Sequence, residues 1–329
     1  MEIREATEGD IGEIVALLKH SLGESLMPKS EQYWRWKHLE NPFGPSPVLL
    51  CWEGSELIGV RAFMRWEWIQ QGQVYRAVRA VDTATHPAHQ GKGIFKKLTL
   101  ALVDYCKQQG VHFVFNTPNQ QSKPGYLKMG WEEAGKLPVY GSIQRPFSMM
   151  KHFISKTDTQ QYEAENNAIK YYLQHDKLST LLTDHHHQTK QLITNISAQY
   201  LTWRYVDVPV ANYVAIGEEQ GEEITGLIIG RIKKSRWGRE LRITDCFMRG
   251  DSNGKELMKK FKERKKEWDV DYTTLSGTTD NHTQKIFGGL TFKTSIGPTV
   301  TIRSLAMTDL NILKNFHHWS PALGDLELF

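Results

Sequence analysis

Along the first 143 residues the apolar positions change period several times, and each change marks an expected element. Glu2 to Glu5 reads as a short strand. Thr7-Glu8-Gly9-Asp10 fits a capping box, and Ile11, Ile14, Val15, Leu17 and Leu18 follow it at helical spacing. Val48 to Glu53 and Glu56 to Ile69 read as strands joined at Gly54-Ser55, and the tight turn Gln71-Gly72-Gln73 leads into a third, Val74 to Thr85. Ile94, Leu98, Leu102 and Cys106 then recur every four residues with Phe95 and Val103 beside them, which predicts an amphipathic helix from Ile94 to Gln109 stopped by Gly110. Val111 to Asn116 is a short buried strand. Asn119 to Met129 is a short helix broken near Pro124-Gly125, and Trp131 to Ile143 supplies the closing strands.

From Gln144 to Asn195 the pattern is polar and irregular, with helical pieces around Tyr171 to Leu182. Beyond it the first half is echoed. Gln32-Tyr33-Trp34-Arg35-Trp36-Lys37 returns as Gln199-Tyr200-Leu201-Thr202-Trp203-Arg204, and Asn119 to Trp131 as Asp280 to Phe292, with Phe287 in place of Tyr126 and Leu290 in place of Met129. The expected organisation is residues 1–143, a connecting segment 144–195, and a degenerate copy in 196–329. The fold class is α/β (α+β), each copy a mixed, mainly antiparallel twisted sheet flanked by helices.

Length and composition agree with two soluble globular units. The chain has 329 residues, 40% of them hydrophobic and 24% charged, and a net charge of only +4, which asks for neither nucleic acid nor an acidic membrane. No stretch approaches the ~18 to 20 apolar residues that cross a bilayer, and Met1 to Glu5 shows no signal region. Cys51, Cys106 and Cys246 form neither a disulfide framework nor a zinc knuckle, so a reducing cytoplasm is the expected setting.

The chemistry centres on Gln90-Gly91-Lys92-Gly93-Ile94-Phe95. A pyrophosphate held by main chain needs consecutive N–H groups in one concavity, glycines that leave the approach clear, and a helix N-terminus behind. Gly91 and Gly93 supply clearance, Lys92 supplies charge, and the helix from Ile94 supplies its positive end. Taken alone, the hexapeptide reads first as an ordinary strand-to-helix turn, and its context turns the reading toward a phosphate cradle.

Thr83-Ala84-Thr85-His86-Pro87-Ala88-His89-Gln90-Gly91-Lys92-Gly93-Ile94 resembles the signature of the GNAT superfamily of N-acetyltransferases, a strand and Pro turn leading to Arg or Gln and then xxGxG or xxGxA. Asn119-Gln120-Gln121-Ser122-Lys123-Pro124-Gly125-Tyr126-Leu127-Lys128-Met129-Gly130-Trp131 resembles the same family's later segment, in order and spacing. The resemblance implies acetyl-CoA or another acyl-CoA as donor, Thr83 to Thr85 pairing with the pantetheine arm, and one main-chain N–H polarising the thioester carbonyl. It implies Asn119 beside the donor, and Tyr126 as the general acid toward a thiolate of similar basicity. Asp82 or His86 is the candidate base, directly or through water. Phe95 departs from the usual Gly or Ala, so its ring either tightens the phosphate site or turns into the core.

The implied reaction is direct acyl transfer to a primary amine of a small molecule or peptide. An aminoacyl- or long-chain acyltransferase, or a CoA-binding pseudoenzyme acting through interactions, are the alternatives, and homodimer formation is left open. No metal is expected: Asp184-His185-His186-His187 reads as a solvated loop, and His317-His318 likewise. Lys255 to Trp268 reads as a helix with a charged outer face over Leu257 and Phe261, not as a nucleic-acid surface. Trp34, Trp36, Trp66 and Trp68 are either core or cleft lining. The ending Leu326-Glu327-Leu328-Phe329 is apolar enough to dock, where its carboxylate would be one further candidate base.

Overall fold

The computed structural model describes residues 1–23, 28–155, 167–249, 254–276, 291–294, 296–307 and 311–326. The chain begins with β1 (Glu2–Glu5), α1 (Ile11–Leu22) and α2 (Glu31–His38), then β2 (Val48–Glu53), β3 (Glu56–Gln70) and β4 (Gln73–Thr85). It continues through α3 (Ile94–Gln108), β5 (Phe113–Asn116), α4 (Lys123–Lys128), β6 (Glu132–Lys136) and β7 (Val139–Ile143). The later part comprises α5 (Pro146–Ser155), α6 (Asn167–Leu173), α7 (Leu178–Gln188), β8 (Ile193–Thr194), α8 (Ala198–Tyr205), β9 (Val214–Gln220), β10 (Glu223–Ser235) and β11 (Gly238–Met248). After α9 (Lys255–Glu267) come β12 (Tyr272–Ser276), β13 (Thr291–Thr294) and β14 (Thr299–Ser304). Among the described residues no helix is long and apolar enough to cross a membrane.

Two twisted sheets result. The first has the order β1-β2-β3-β4-β5-β14-β6, with β8 beside the far end of β3, and the second β13-β7-β12-β11-β10-β9. All their pairings are antiparallel except β4 with β5 and β11 with β12. Read from β2 and from β9, the two sheets therefore follow the same strand order.

The closing strands depart from expectation. Only β6 stays in the first sheet; Val139–Ile143 crosses to lie between β12 and β13, and β14 takes the place between β5 and β6. The crossings explain this. Leu137-Pro138 and Gly297-Pro298 pass each other, with the Leu137 N–H donating to Pro298 O at 2.9 Å. Proline offers no ladder N–H and holds the residue before it extended, which favours a straight crossing over a hairpin. Each sheet thus borrows one strand from the other half of the sequence, and a boundary at 143 divides the chain without dividing the sheets.

A shared aromatic core seals the junction. The repeated helices α2 and α8 begin at Ser30 and Ser197, each accepting the N–H of the residue three on. Trp36 and Trp203 stack at 4.7 Å, and each indole N–H donates to the other's main-chain oxygen at 2.8 Å. Trp66 and Trp68 are buried with Tyr200, Phe115 and Trp319, and Trp34 is buried under α1. These tryptophans belong to the core. The histidines at 185 to 187 are not a loop but the last turn of α7, where apolar Leu178, Leu181 and Leu182 on the inner face hold the helix down. Leu257 and Phe261 are the buried face of α9, as their spacing requires. The repeat partner expected at Asp280 to Leu290 and the residues after Leu326 lie outside the described residues.

Candidate active site

Strands β4 and β5 begin together and then separate. Their parallel pairing covers only Ala77 to Arg79 with Phe113 to Phe115, whereas β4 stays paired to β3 as far as Thr85. A bulge at Asp82 marks the divergence: Arg61 faces Thr83 and Ala62 faces Val81, leaving Asp82 as the extra residue with φ of 27°. A non-glycine residue there needs holding. The Asp82 carboxylate receives the Lys37 ammonium at 2.5 Å and lies 2.9 Å from His38 Nε2. Against the cost of burial, Lys37 and His38 hold this carboxyl far below the usual carboxylate range. Arg79, on the same strand, points away to the C-terminal segment, donating to Asp325 O at 2.7 Å and to Leu326 O.

Where β4 ends, a cleft of about 460 Å³ is lined by Ser21, Leu22, Thr83, Ala84, Thr85, His89, Gln90, Gly91, Gly93, Ile94, Phe95 and Lys96. Pro87–His89 form a single turn, after which Gly91 and Gly93 adopt φ of 79° and 76°. A Cβ at either would meet no atom within 4 Å, so both present bare backbone to open space. Gly93 caps α3 with no side chain covering the first helical N–H groups. An anionic phosphate matches both the geometry and the helix dipole. Lys92 leans the other way, its Nζ 3.1 Å from His89 Nδ1 and 3.9 Å from Glu53. The ring of Phe95 turns inward, edge-on to Tyr126 at 5.6 Å and under the Arg61 guanidinium, so it leaves the phosphate side clear.

Tyr126 sits on α4 with its ring buried against Trp131 and Phe95. Asn119 positions it. The Asn119 Oδ1 accepts the N–H groups of Gln121 and Ser122 and the Ser122 hydroxyl, shaping the turn that starts α4. The Tyr126 hydroxyl accepts a 2.6 Å bond from Arg61 Nη2, and fully buried Arg61 also donates to Val81 O on the strand that splays. A neighbouring guanidinium stabilises negative charge on a phenolic oxygen that gives up its proton.

His86 follows Thr85, the last residue of β4, and caps the Pro87–His89 turn at the phosphate end of the strand. Its Nδ1 accepts the Ala88 N–H at 3.3 Å, its ring stacks on His20 at 4.9 Å, and its Nε2 is 3.6 Å from Glu56. Of the expected donor-site residues, Thr83, Ala84, Thr85, Gln90, Gly91, Gly93, Ile94 and Phe95 line one cleft and Lys92 does not. Tyr126 and Asn119 follow β5, and Asp82 and His86 stand at opposite ends of the splay. Arg61, Lys37 and His38 were not among the expected residues. A lone arginine within Gly59-Val60-Arg61-Ala62-Phe63 was the signal for the first.

Residues 2–134 match the model of the acetyltransferase (GNAT) domain, and this part of the chain is a GNAT domain. Solved structures extend the likeness of fold over nearly the whole chain. A GCN5-related N-acetyltransferase from Anabaena variabilis aligns with a TM-score of 0.65 at 17% identity, covering 92% of this chain and 72% of that one. A probable N-acyltransferase from Enterococcus faecalis aligns with a TM-score of 0.65 at 12% identity, covering 94% and 74%. N-Myristoyltransferase from Saccharomyces cerevisiae with bound myristoyl-CoA gives 0.53 at 10% identity, covering 92% and 78%. No curated protein matches the chain.

Proposed function

We propose that this protein is an N-acyltransferase that moves an acetyl group from acetyl-CoA to a primary amine by direct attack. The observation that carries the reading is the open splay of β4 and β5 leading to bare Gly91 and Gly93 at the start of α3, with Tyr126 buried nearby. In this reading the α3 N-terminus takes the pyrophosphate, and the free edge of Thr83 to Thr85 pairs with the pantetheine arm and polarises the thioester carbonyl. Tyr126 donates its proton to the departing thiolate, and Arg61 stabilises the charge left on its oxygen. Asp82, already paired with two basic groups, is a poor proton acceptor and holds the bulge instead. His86 does not line the cleft: its ring stacks on His20 and its Nε2 turns toward Glu56. The amine therefore enters neutral, and positioning supplies much of the acceleration.

The second sheet is read as a duplicated copy without its own donor site, and the three free thiols suit a reducing cytoplasm. The myristoyl-CoA bound by the yeast fold relative favours one second reading, a long-chain donor. Calorimetric titration with CoA, acetyl-CoA and myristoyl-CoA, followed by thiol release across a panel of amines, tests both. Acetyl-CoA binding with amine-dependent thiol release is the expected result. Failure to bind any CoA species would sink the proposal, and binding without release to any amine would leave a CoA-binding pseudoenzyme.

A further inference from the structure

Three side chains with metal-ligating donor atoms come together beside the phosphate loop. Glu56 opens β3 at the β2–β3 turn, and His86 and His89 flank the Pro87–His89 turn; one donor atom from each lies within 4.8 Å of the others. Glu56 Oε1 is 3.6 Å from His86 Nε2 and Glu56 Oε2 is 3.6 Å from His89 Nε2. Those separations are too long for hydrogen bonds. They are close to the roughly 3.4 Å between two ligands of a tetrahedral zinc with bonds of about 2.0–2.1 Å.

The surroundings support the same assignment. Glu53 Oε2 lies 3.3 Å from His89 Nδ1, the outer carboxylate that commonly orients a metal-bound imidazole with Nε2 toward the ion. His20 backs the His86 ring. The imidazoles are mostly enclosed, with side-chain exposures of 25% and 11%, whereas Glu56 at 53% leaves solvent a way in. Loading requires one exchange at each ring. His86 Nδ1 takes a proton and gives up its long bond from the Ala88 N–H, and His89 Nδ1 turns from Lys92 to Glu53. Two imidazoles and one carboxylate suit zinc and its transition-metal neighbours over magnesium or calcium.

We propose that Glu56, His86 and His89 form a binding site for a divalent transition-metal ion of the zinc class, which clasps the β2–β3 turn onto the phosphate loop. His89 also lines the donor cleft, so the clasp tightens CoA binding; that consequence, unlike the site, rests on the CoA reading.

Protein stripped with EDTA is titrated calorimetrically with Zn²⁺, and Co²⁺ absorption reports the ligand geometry. One ion binds per chain, at least about tenfold more weakly in His86→Ala, His89→Ala and Glu56→Gln and about 10–100-fold more weakly in Glu53→Gln. His185→Ala/His187→Ala leaves binding unchanged. Thermal melts check the fold, and Glu56→Gln, on an exposed turn, decides the matter if a histidine variant does not fold. No binding by the native chain, or equal binding by the His86→Ala/His89→Ala double variant, overturns the site. Zinc binding with an unaltered CoA affinity overturns the clasp alone, and zinc binding without any CoA binding defeats the CoA reading while the site stands.

Discussion

The two sheets splay at the same place and fill the gap differently. In each, a parallel pair separates after three residues, and in each the longer strand carries a one-residue bulge just beyond, Asp82 in β4 and Thr244 in β11. The repeated helices aim a cation from the same position, Lys37 in α2 and Arg204 in α8. In the first sheet the bulge residue is an acid and answers the cation directly. In the second it is a threonine, whose hydroxyl bonds Ile229 O, and Arg204 turns to Gly324 O and the Tyr213 hydroxyl. The C-terminal segment lies in the second splay, where Ser276 bonds Pro321 O at 2.7 Å and the remaining cavity is about 60 Å³; the cleft of about 460 Å³ in the first half lies farther along β4, against the phosphate loop. The same segment also reaches the first splay, where Arg79 of β4 and Thr117, just after β5, both donate to Leu326 O.

The sharpest break of this comparison is at the glycines that start α3 and α9. Gly93 and Gly254 both cap their helices in the left-handed region, with φ of 76° and 61°. Gly93→Val places a side chain in the phosphate cradle and is expected to abolish measurable CoA binding, in addition to a strain of roughly 1–2 kcal/mol. Gly254→Val is expected to show the strain in a thermal melt with CoA affinity unchanged. Equal loss of CoA affinity in both would mean that the two sheets share the donor site.

Tyr126 provides the next test. Tyr126→Phe is expected to lower turnover by roughly 10²-fold or more while CoA affinity holds. It also leaves buried Arg61 without one acceptor, at a cost of about 1–3 kcal/mol in denaturant unfolding. Retained turnover would reduce Tyr126 to a structural partner of Arg61 and move the acid elsewhere.

Much of the first sheet was legible because its strands alternate or run apolar between glycine turns: β2 keeps its expected limits, and α3 ends one residue early. The strand exchange was not legible. Val139–Ile143 and Thr299–Ser304 have patterns that suit either sheet, and what routes them is the crossing of two Xaa-Pro segments that lie far apart in sequence. The candidate site divides in the same way. Local geometry such as the Gly91 and Gly93 loop was readable from spacing, whereas the Asn119 turn was not, and the partners of Tyr126 and Asp82 come from β3 and α2 and depend on tertiary contact. The His185 tract drew attention as a run of histidines, while His86 and His89, a turn apart, meet Glu56 only through the hairpin.

Asp82→Asn tests whether the bulge acid is structural. Lys37 is 5% exposed and would lose its counter-ion, which is expected to cost about 3–5 kcal/mol in chemical unfolding. The Asp82 carboxyl is depressed below its unfolded value near 3.8, so its contribution is complete above that pH and is lost only as pH falls through the folded value. The Asp82 carboxyl itself therefore adds no slope to the difference between native and variant stability above pH 5, and any slope below 6.5 comes from His38, which loses the pull of Asp82 in the variant. A loss of turnover at unchanged stability would instead restore Asp82 as a base.

The smallest effect belongs to His38, whose counterpart in the second half is Tyr205, a group that does not titrate near neutrality because burial raises it well above 10.0. Burial lowers His38 from 6.5 despite the pull of Asp82, so its ring stays neutral, with Nε2 toward Asp82 and Nδ1 toward Ser46. A base depressed by folding favours the native state above its unfolded value, and that advantage shrinks as pH falls from 6.5 through the folded value. Half-buried His186 acts with the same sign, while the carboxyls of Asp245 and Asp325, raised by burial, act with the opposite one. Only a difference curve isolates His38. Denaturant unfolding of the native chain against His38→Gln between pH 7 and 5 is expected to show the native advantage falling below pH 6.5 by at most about 1.4 kcal/mol per pH unit, the limit for one proton. A native advantage that grows as pH falls toward 6.5 would instead mean that His38 is protonated in the fold, so that Asp82 is answered by two cations where the second sheet has one; parallel curves would mean that folding leaves the His38 titration unshifted.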